Sequence, residues 1–123
     1  MAKAIGLGGI FFRARDPQAL AQWYATHLGL AVDPAYGGVR FDEDASRSGF
    51  TLWTPFAQDT AYFGDATQPF MLNFRVDDLD ALLDQLRAAG VWVDGQREDG
   101  QFGRFGRVRD PEGRHVELWQ PAG

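Results

Sequence analysis

The chain has no cysteine and only two histidines, His27 and His115, among its 123 residues. The first absence removes disulfide frameworks, zinc–thiolate sites, iron–sulfur clusters and cysteine nucleophiles at once. The scarcity of histidine leaves any metal site dependent on carboxylates. Basic residues are outnumbered, 12 Lys and Arg against 17 Asp and Glu, for a net charge of −5. Nucleic acid is therefore not an expected partner, because phosphate binding needs a basic footprint. No apolar run approaches the roughly 18 residues of a spanning helix, and the N-terminus carries no leader signature. The expectation is a soluble cytoplasmic protein with no membrane partner. What the chain does have is apolar mass: 45% hydrophobic and 14% aromatic residues, ample for a packed core and unlike a disordered chain.

The sequence is written twice. An offset of 62 aligns Phe12 with Phe74, Arg13 with Arg75, Asp16 with Asp78, and Ala19-Leu20 with Ala81-Leu82. At an offset of 61, Gly29-Leu30-Ala31-Val32-Asp33 answers Gly90-Val91-Trp92-Val93-Asp94. At 66, Phe50-Thr51-Leu52-Trp53-Thr54-Pro55 answers Val116-Glu117-Leu118-Trp119-Gln120-Pro121. Three blocks in one order imply two duplicated modules, about 5–60 and about 68–121, within a single domain spanning 1–123.

Each module opens with a strand, 9–14 and 71–76, followed by a helix. Asp16 and Asp78 occupy N-cap positions and Pro17 suits the first turn. Leu20, Trp23, Tyr24, His27 and Leu28 form one helical stripe; Leu79, Leu82, Leu83 and Leu86 form the other. His27 reads as a packing residue and is not assigned to the site. Gly29 and Gly90 end the helices. Three short strands follow in each module: 31–33, 39–41 and 49–53, then 91–94, 104–109 and 115–119. Asp110-Pro111-Glu112-Gly113 is a strong turn. The expected class is α+β, two tandem β-α-β-β-β modules whose curved sheets enclose a cleft.

Strand alternation divides these residues between two faces. One carries Ile10, Phe12, Leu72, Phe74, Val76, Phe50, Leu52, Val116 and Leu118, all apolar, and should support the helices. The other carries Phe11 and Arg13; Met71, Asn73 and Arg75; Thr51 and Trp53; His115, Glu117 and Trp119. Apolar walls with a few polar groups describe a small-molecule pocket. Arg13 and Arg75 suit a carboxylated ligand, or equally pair with Glu117. Asn73 suits ligand orientation. Trp53 and Trp119 suit stacking on a planar ligand or wall packing. Glu117 reads as a general base or as a structural partner of the arginines. In the 100–106 run, GQFGRFG, Phe102, Arg104 and Phe105 can form a rim over a ligand. The Gly6-Leu7-Gly8-Gly9 run precedes a strand rather than joining a strand to a helix, so it is not a dinucleotide motif, and no cofactor is expected.

With those residues in view, the chain resembles the vicinal-oxygen-chelate superfamily, which includes glyoxalase I, bleomycin-resistance proteins, fosfomycin-resistance enzymes and extradiol dioxygenases. The likeness rests on Asp16-Pro17 with Trp23-Tyr24 and Leu28-Gly29-Leu30; on Phe74-Arg75-Val76-Asp77-Asp78-Leu79; and on Asp110-Pro111-Glu112-Gly113 with Val116-Glu117-Leu118. It implies paired β-α-β-β-β modules around a cleft, and commonly a homodimer. Metal ligands carried over from the family fall on Gly9, Thr51, Met71 and Glu117, of which only Glu117 is a plausible ligand. His115 lies two residues before it on the same face, but no third partner is visible, so no metal is expected. Two functions follow from the resemblance. One is a metal-independent binder of a small, anionic or aromatic molecule through Phe11, Arg13, Trp53, Met71, Asn73, Arg75, His115 and Trp119. The other is a lyase, isomerase or dioxygenase type of enzyme using Glu117 as metal ligand or general base.

Overall fold

The computed structural model describes residues 1–28, 30–41, 50–110 and 113–123, with the side chains of Trp23, Tyr24, Thr26, His27 and Leu28 outside the description. Among the described residues the elements are β1 (Ala4–Ala14), α1 (Pro17–Leu28), β2 (Val32–Asp33), β3 (Gly38–Phe41), β4 (Thr51–Ala57), β5 (Phe70–Val76), α2 (Leu79–Ala88), β6 (Glu98–Gly100), β7 (Gly103–Arg109) and β8 (His115–Pro121). The strands form one curved, unclosed sheet in the order β2-β3-β4-β1-β5-β8-β7-β6. Its two halves repeat one plan. β1 runs parallel to β4 and β5 parallel to β8, and the halves join where β1 meets β5 antiparallel.

Local chemistry sets the helix boundaries. The Asp16 carboxylate accepts from the Ala19 N–H at 3.0 Å, and Asp78 accepts from the Ala81 N–H at 3.1 Å. Each cap satisfies one donor that the first helical turn leaves unpaired, worth about 1 kcal/mol. Gly90, at φ 82°, ends the run after α2 in the left-handed region that glycine enters without cost. Gly29, Pro111, Glu112 and the α1 stripe of Trp23, Tyr24, His27 and Leu28 lie outside the described residues or side chains.

In the second half, α2 packs Leu79 and Leu83 against Val76, Val108 and Leu118, with Phe74, Leu82, Leu86, Val91, Val93 and Val116 around them. The apolar parity of β5 and β8 therefore faces the helix. The segment after α2 departs from the expected strand over 91–94. Val93 makes an isolated bridge to Val108, and the ladder resumes only at β6. The interruption falls at Asp94, whose carboxylate accepts from the Gln96 N–H at 3.0 Å and turns the chain at Gly95.

β4 is where the expected faces are reversed. Its register with β1 pairs Gly9 with Leu52, Ile10 with Trp53, Phe11 with Thr54 and Arg13 with Phe56. Leu52, Thr54 and Phe56 thus share the face of Phe11. Trp53 shares the face of Ile10 and packs on Phe12 at a ring distance of 5.3 Å. The matching strand pair places Asn73 beside Glu117. Since Phe11 and Asn73 are equivalent at 62, the residue equivalent to Glu117 is Thr54, at an offset of 63 rather than 66. The shared Leu-Trp-x-Pro wording of the two strands is offset by three positions from their structural equivalence, and an odd shift moves every side chain to the other face. Trp53 accordingly stands on the helix-bearing face, away from the cleft.

Candidate functional site

Three adjacent strands carry the polar centre of the cleft face. Asn73 on β5, Glu117 on β8 and Arg107 on β7 stand abreast by register. Glu117 is 1% exposed. Its Oε1 accepts from Asn73 Nδ2 at 2.7 Å, its Oε2 accepts from the Tyr62 hydroxyl, and Arg107 Nε lies 4.0 Å from Oε2. Burial pushes the Glu117 carboxyl above the usual carboxylate range, against the opposing pull of Tyr62, Asn73 and Arg107. Burial, then the adjacent Glu117 charge, pushes the Tyr62 hydroxyl upward as well. Asn73 Oδ1 and Thr54 Oγ1 are buried with no hydrogen-bond partner among the described residues. The Asn73 oxygen lies over Gly8, where a β-carbon would approach it to 1.6 Å, so only glycine leaves it room.

Beside this centre lies a cavity of about 140 Å³ lined by Tyr36, Phe50, Leu52, Asn73, Phe102, Phe105 and Trp119, and its wall exposes carbon alone. Phe105 lies flat along Trp119, ring centroids 5.9 Å apart and planes 4° apart, while Phe50 meets Trp119 edge-on at 4.8 Å. Trp119 Nε1 donates to the Phe102 carbonyl at 2.8 Å, which fixes the β6–β7 turn at the rim. A second, polar cavity of about 110 Å³ is lined by Tyr62, Asp94, Gln96, Arg97, Glu98, Phe105, Gly106, Arg107 and Glu117. Phe105 borders both.

The two arginines expected to clamp a ligand are engaged elsewhere. Arg13 donates to the carbonyls of Gln68 (2.6 Å), Gln58 (3.2 Å), Thr60 (2.8 Å) and Asp65 (2.7 Å), and its guanidinium lies 4.8 Å from the Phe63 ring centre. It pins the 57–69 segment across one end of the cleft. Arg75 Nε donates to the Leu7 carbonyl at 3.0 Å, and its guanidinium packs over Gly6. The Glu117 carboxylate takes Asn73, Tyr62 and Arg107 as its partners instead. His115 is held through its backbone, which exchanges two 2.9 Å bonds with the Gln68 side chain, and its ring sits edge-on to Trp92 at 5.7 Å. Burial, with Arg109 and Arg107 nearby, lowers the His115 pKa. Phe11 and Met71 are buried with Phe63, and Leu52, Phe56 and Tyr62 pack around them. The cleft thus gathers Asn73, Glu117 and Trp119 around the cavities, and puts Phe11 and Met71 in the packed part of its floor. Tyr62, Phe50, Leu52 and Tyr36 were not among the expected site residues. For Tyr62 the signal was composition, since Phe56, Tyr62 and Phe63 make the connector too aromatic for a solvated loop; Phe50 and Leu52 needed the β4 register.

The superfamily's divalent metal can be tested against these residues. Of the four expected positions, Gly9, Met71 and Glu117 stand on the cleft face, whereas strand register puts Thr54 there in place of Thr51; both Glu117 oxygens already accept hydrogen bonds. Among the described residues no group of three or more His, Asp or Glu could hold an ion. Tyr62, packed on the Phe11–Phe63–Met71 cluster, fills the space beside the carboxylate. This donor set does not fit a catalytic metal.

No curated protein matches this sequence. In structure the chain is similar to a methylmalonyl-CoA epimerase variant of Streptomyces coelicolor in complex with 2-nitronate-propionyl-CoA, at 18% identity and a TM-score of 0.76, covering 98% of this chain and 100% of that one. The epimerase of Mycobacterium tuberculosis is 21% identical at a TM-score of 0.65, covering 98% and 90%. A protein described as an NAD-dependent benzaldehyde dehydrogenase of Legionella pneumophila is 13% identical at 0.61, covering 93% and 98%. At such identities the likeness establishes the fold. The family model of the glyoxalase-like domain matches residues 9–119, and the chain therefore belongs to that family, within the vicinal-oxygen-chelate superfamily.

Proposed function

We propose that this protein binds a small aromatic molecule in a metal-independent cleft. The observation that carries the reading is the carbon-walled cavity of about 140 Å³ framed by Phe50, Phe105 and Trp119. A dry apolar cavity of about 150 Å³ takes a benzene-sized ring, and aromatic faces reward such a guest with stacking and edge contacts. Asn73, on the same wall, joins the cavity to the buried Glu117 carboxylate. Thermal-shift titration of the full chain with single-ring probes tests this. Saturable stabilisation, lost when Trp119→Ala opens the wall, is expected; an identical response in the variant overturns it.

A second reading rests on Glu117 itself. A buried carboxylate with a raised pKa beside a cavity is suited to proton abstraction, and the epimerase likeness supplies acyl-CoA esters as the substrate class to try. Turnover of such an ester, abolished in Glu117→Gln, would favour this reading over binding alone. We also propose that two copies pair through the open middle of the helix-bearing face, where Leu7, Ile10 and Phe70 are exposed.

A further inference from the structure

The wall of the ring cavity decides which rings it accepts, and this inference rests on the ring-binding reading above. No lining residue shows a nitrogen or oxygen to the cavity. The polar atoms nearest to it are engaged or covered. Asn73 Nδ2 donates to Glu117 at 2.7 Å, and Asn73 Oδ1 is buried against Gly8. Trp119 Nε1 donates to the Phe102 carbonyl at 2.8 Å. Glu117, behind Asn73, is itself buried and accepts at both oxygens. A polar group pressed against this wall therefore finds no hydrogen-bond partner.

Burial is graded along the same wall. Asn73 and Trp119 are buried, Tyr36, Phe50, Leu52 and Phe105 are half-buried, and Phe102 is exposed. The cavity thus has a dry end at Asn73 and Trp119 and a wet end at Phe102. A substituent at the dry end exchanges water for carbon, whereas one at the wet end keeps its solvent. For a methyl group the exchange is favourable. For a hydroxyl it costs the full desolvation of the group, because nothing replaces the lost water.

We infer that the cleft takes an aryl or alkylaryl group whose inner edge is carbon alone, with any polar substituent confined to the opposite end, and rejects rings that are polar at both ends. The test uses three probes of one shape: p-xylene, p-cresol and hydroquinone, titrated calorimetrically into the full chain in oxygen-free buffer. All three are uncharged at neutral pH, so the series reads hydrogen bonding and solvation without charge. Replacing the first methyl by hydroxyl should weaken binding by less than about threefold, because that hydroxyl takes the wet end. Replacing the second should weaken it by about tenfold or more, since one hydroxyl must then be buried unpaired. Two equal steps would mark simple apolar partition; they overturn the inference and leave ring binding standing. All three affinities should fall in Trp119→Ala, or in Trp119→Phe where the alanine variant does not fold. p-Xylene held as tightly by the folded variant places the ring elsewhere and overturns both readings, as does failure of all three probes to bind the parent chain.

Discussion

Asn73 and Glu117 are cross-strand neighbours on β5 and β8, joined by a 2.7 Å hydrogen bond from the amide to the carboxylate. The carboxylate is thereby fixed in a site where it is 1% exposed, and burial raises its pKa. A carboxyl whose folded-state pKa lies above its unfolded one holds its proton more tightly in the folded chain. Its contribution to stability is full below the unfolded value, about 4.3, and is lost as pH rises through the folded value. Glu117→Gln, which cannot ionise, should therefore gain stability relative to the parent between pH 4 and 8, as read by urea denaturation at several pH values. A parallel pair of pH profiles would show that the carboxylate pays no burial cost.

Arg13 should act on the fold rather than on a ligand. Four carbonyls and the Phe63 ring depend on it. Arg13→Ala leaves those acceptors without their donor and should cost about 2–4 kcal/mol. Lysine, with a point charge in place of a planar fork, should recover only part of it. Unfolding measurements on both variants decide the matter, and an unchanged midpoint for Arg13→Ala would exclude the staple.

Leu83, 1% exposed under α2, tests the helix face of the second half. Leu83→Ala should destabilise by about 2–5 kcal/mol, as buried leucine truncations do, without altering ring-probe binding in the cleft. A change in affinity with little loss of stability would place that face on the ligand side.

The architecture was readable because the duplicated helix caps, turns and apolar periods are local signals. Asp78 caps α2 and Gly90 ends its run as the sequence indicates. The faces of β5 and β8 also follow from alternation alone, with Phe74 and Leu118 toward α2. Trp53 did not follow, since similarity in wording is not strand register. Only the pairing of Phe11 with Thr54 fixes which way β4 faces. Arg13 and Tyr62 were illegible for another reason. Their partners lie 47 and 55 residues away in sequence, so nothing local marks one as a loop anchor or the other as a carboxylate partner.

The two tryptophans give a direct test of that correction. Trp119 lines the cavity and is 2% exposed, whereas Trp53 packs on Phe12 across the sheet. Trp119→Phe should weaken a ring probe, because it removes stacking area and the bond that holds the Phe102 carbonyl. Trp53→Phe should leave binding within about twofold, a change of less than 0.5 kcal/mol. Fluorescence titration of each single-tryptophan substitution measures both. Equal losses would return Trp53 to the cleft.

The last prediction concerns the helix-bearing face. α1 lies mainly against β4 and α2 against β7, β8 and the C-terminal end of β5, so parts of β1 and the start of β5 keep exposed apolar side chains on this face. Ile10, Phe70 and Leu7 are exposed there at 47%, 42% and 40%, and register places Leu7 beside Phe74 and Ile10 beside Leu72 on this side of the sheet. An apolar strip of this kind on a small chain marks a contact surface. It lies where the two halves meet, so a second copy can lay the same apolar strip against it, the self-complementary geometry of a twofold pair. Sedimentation at micromolar concentration should report a species of twice 13.7 kDa, and Ile10→Glu should shift it to the single chain without unfolding it, because Ile10 is not part of the packed core. A single 13.7 kDa species before any substitution would leave the strip without this partner.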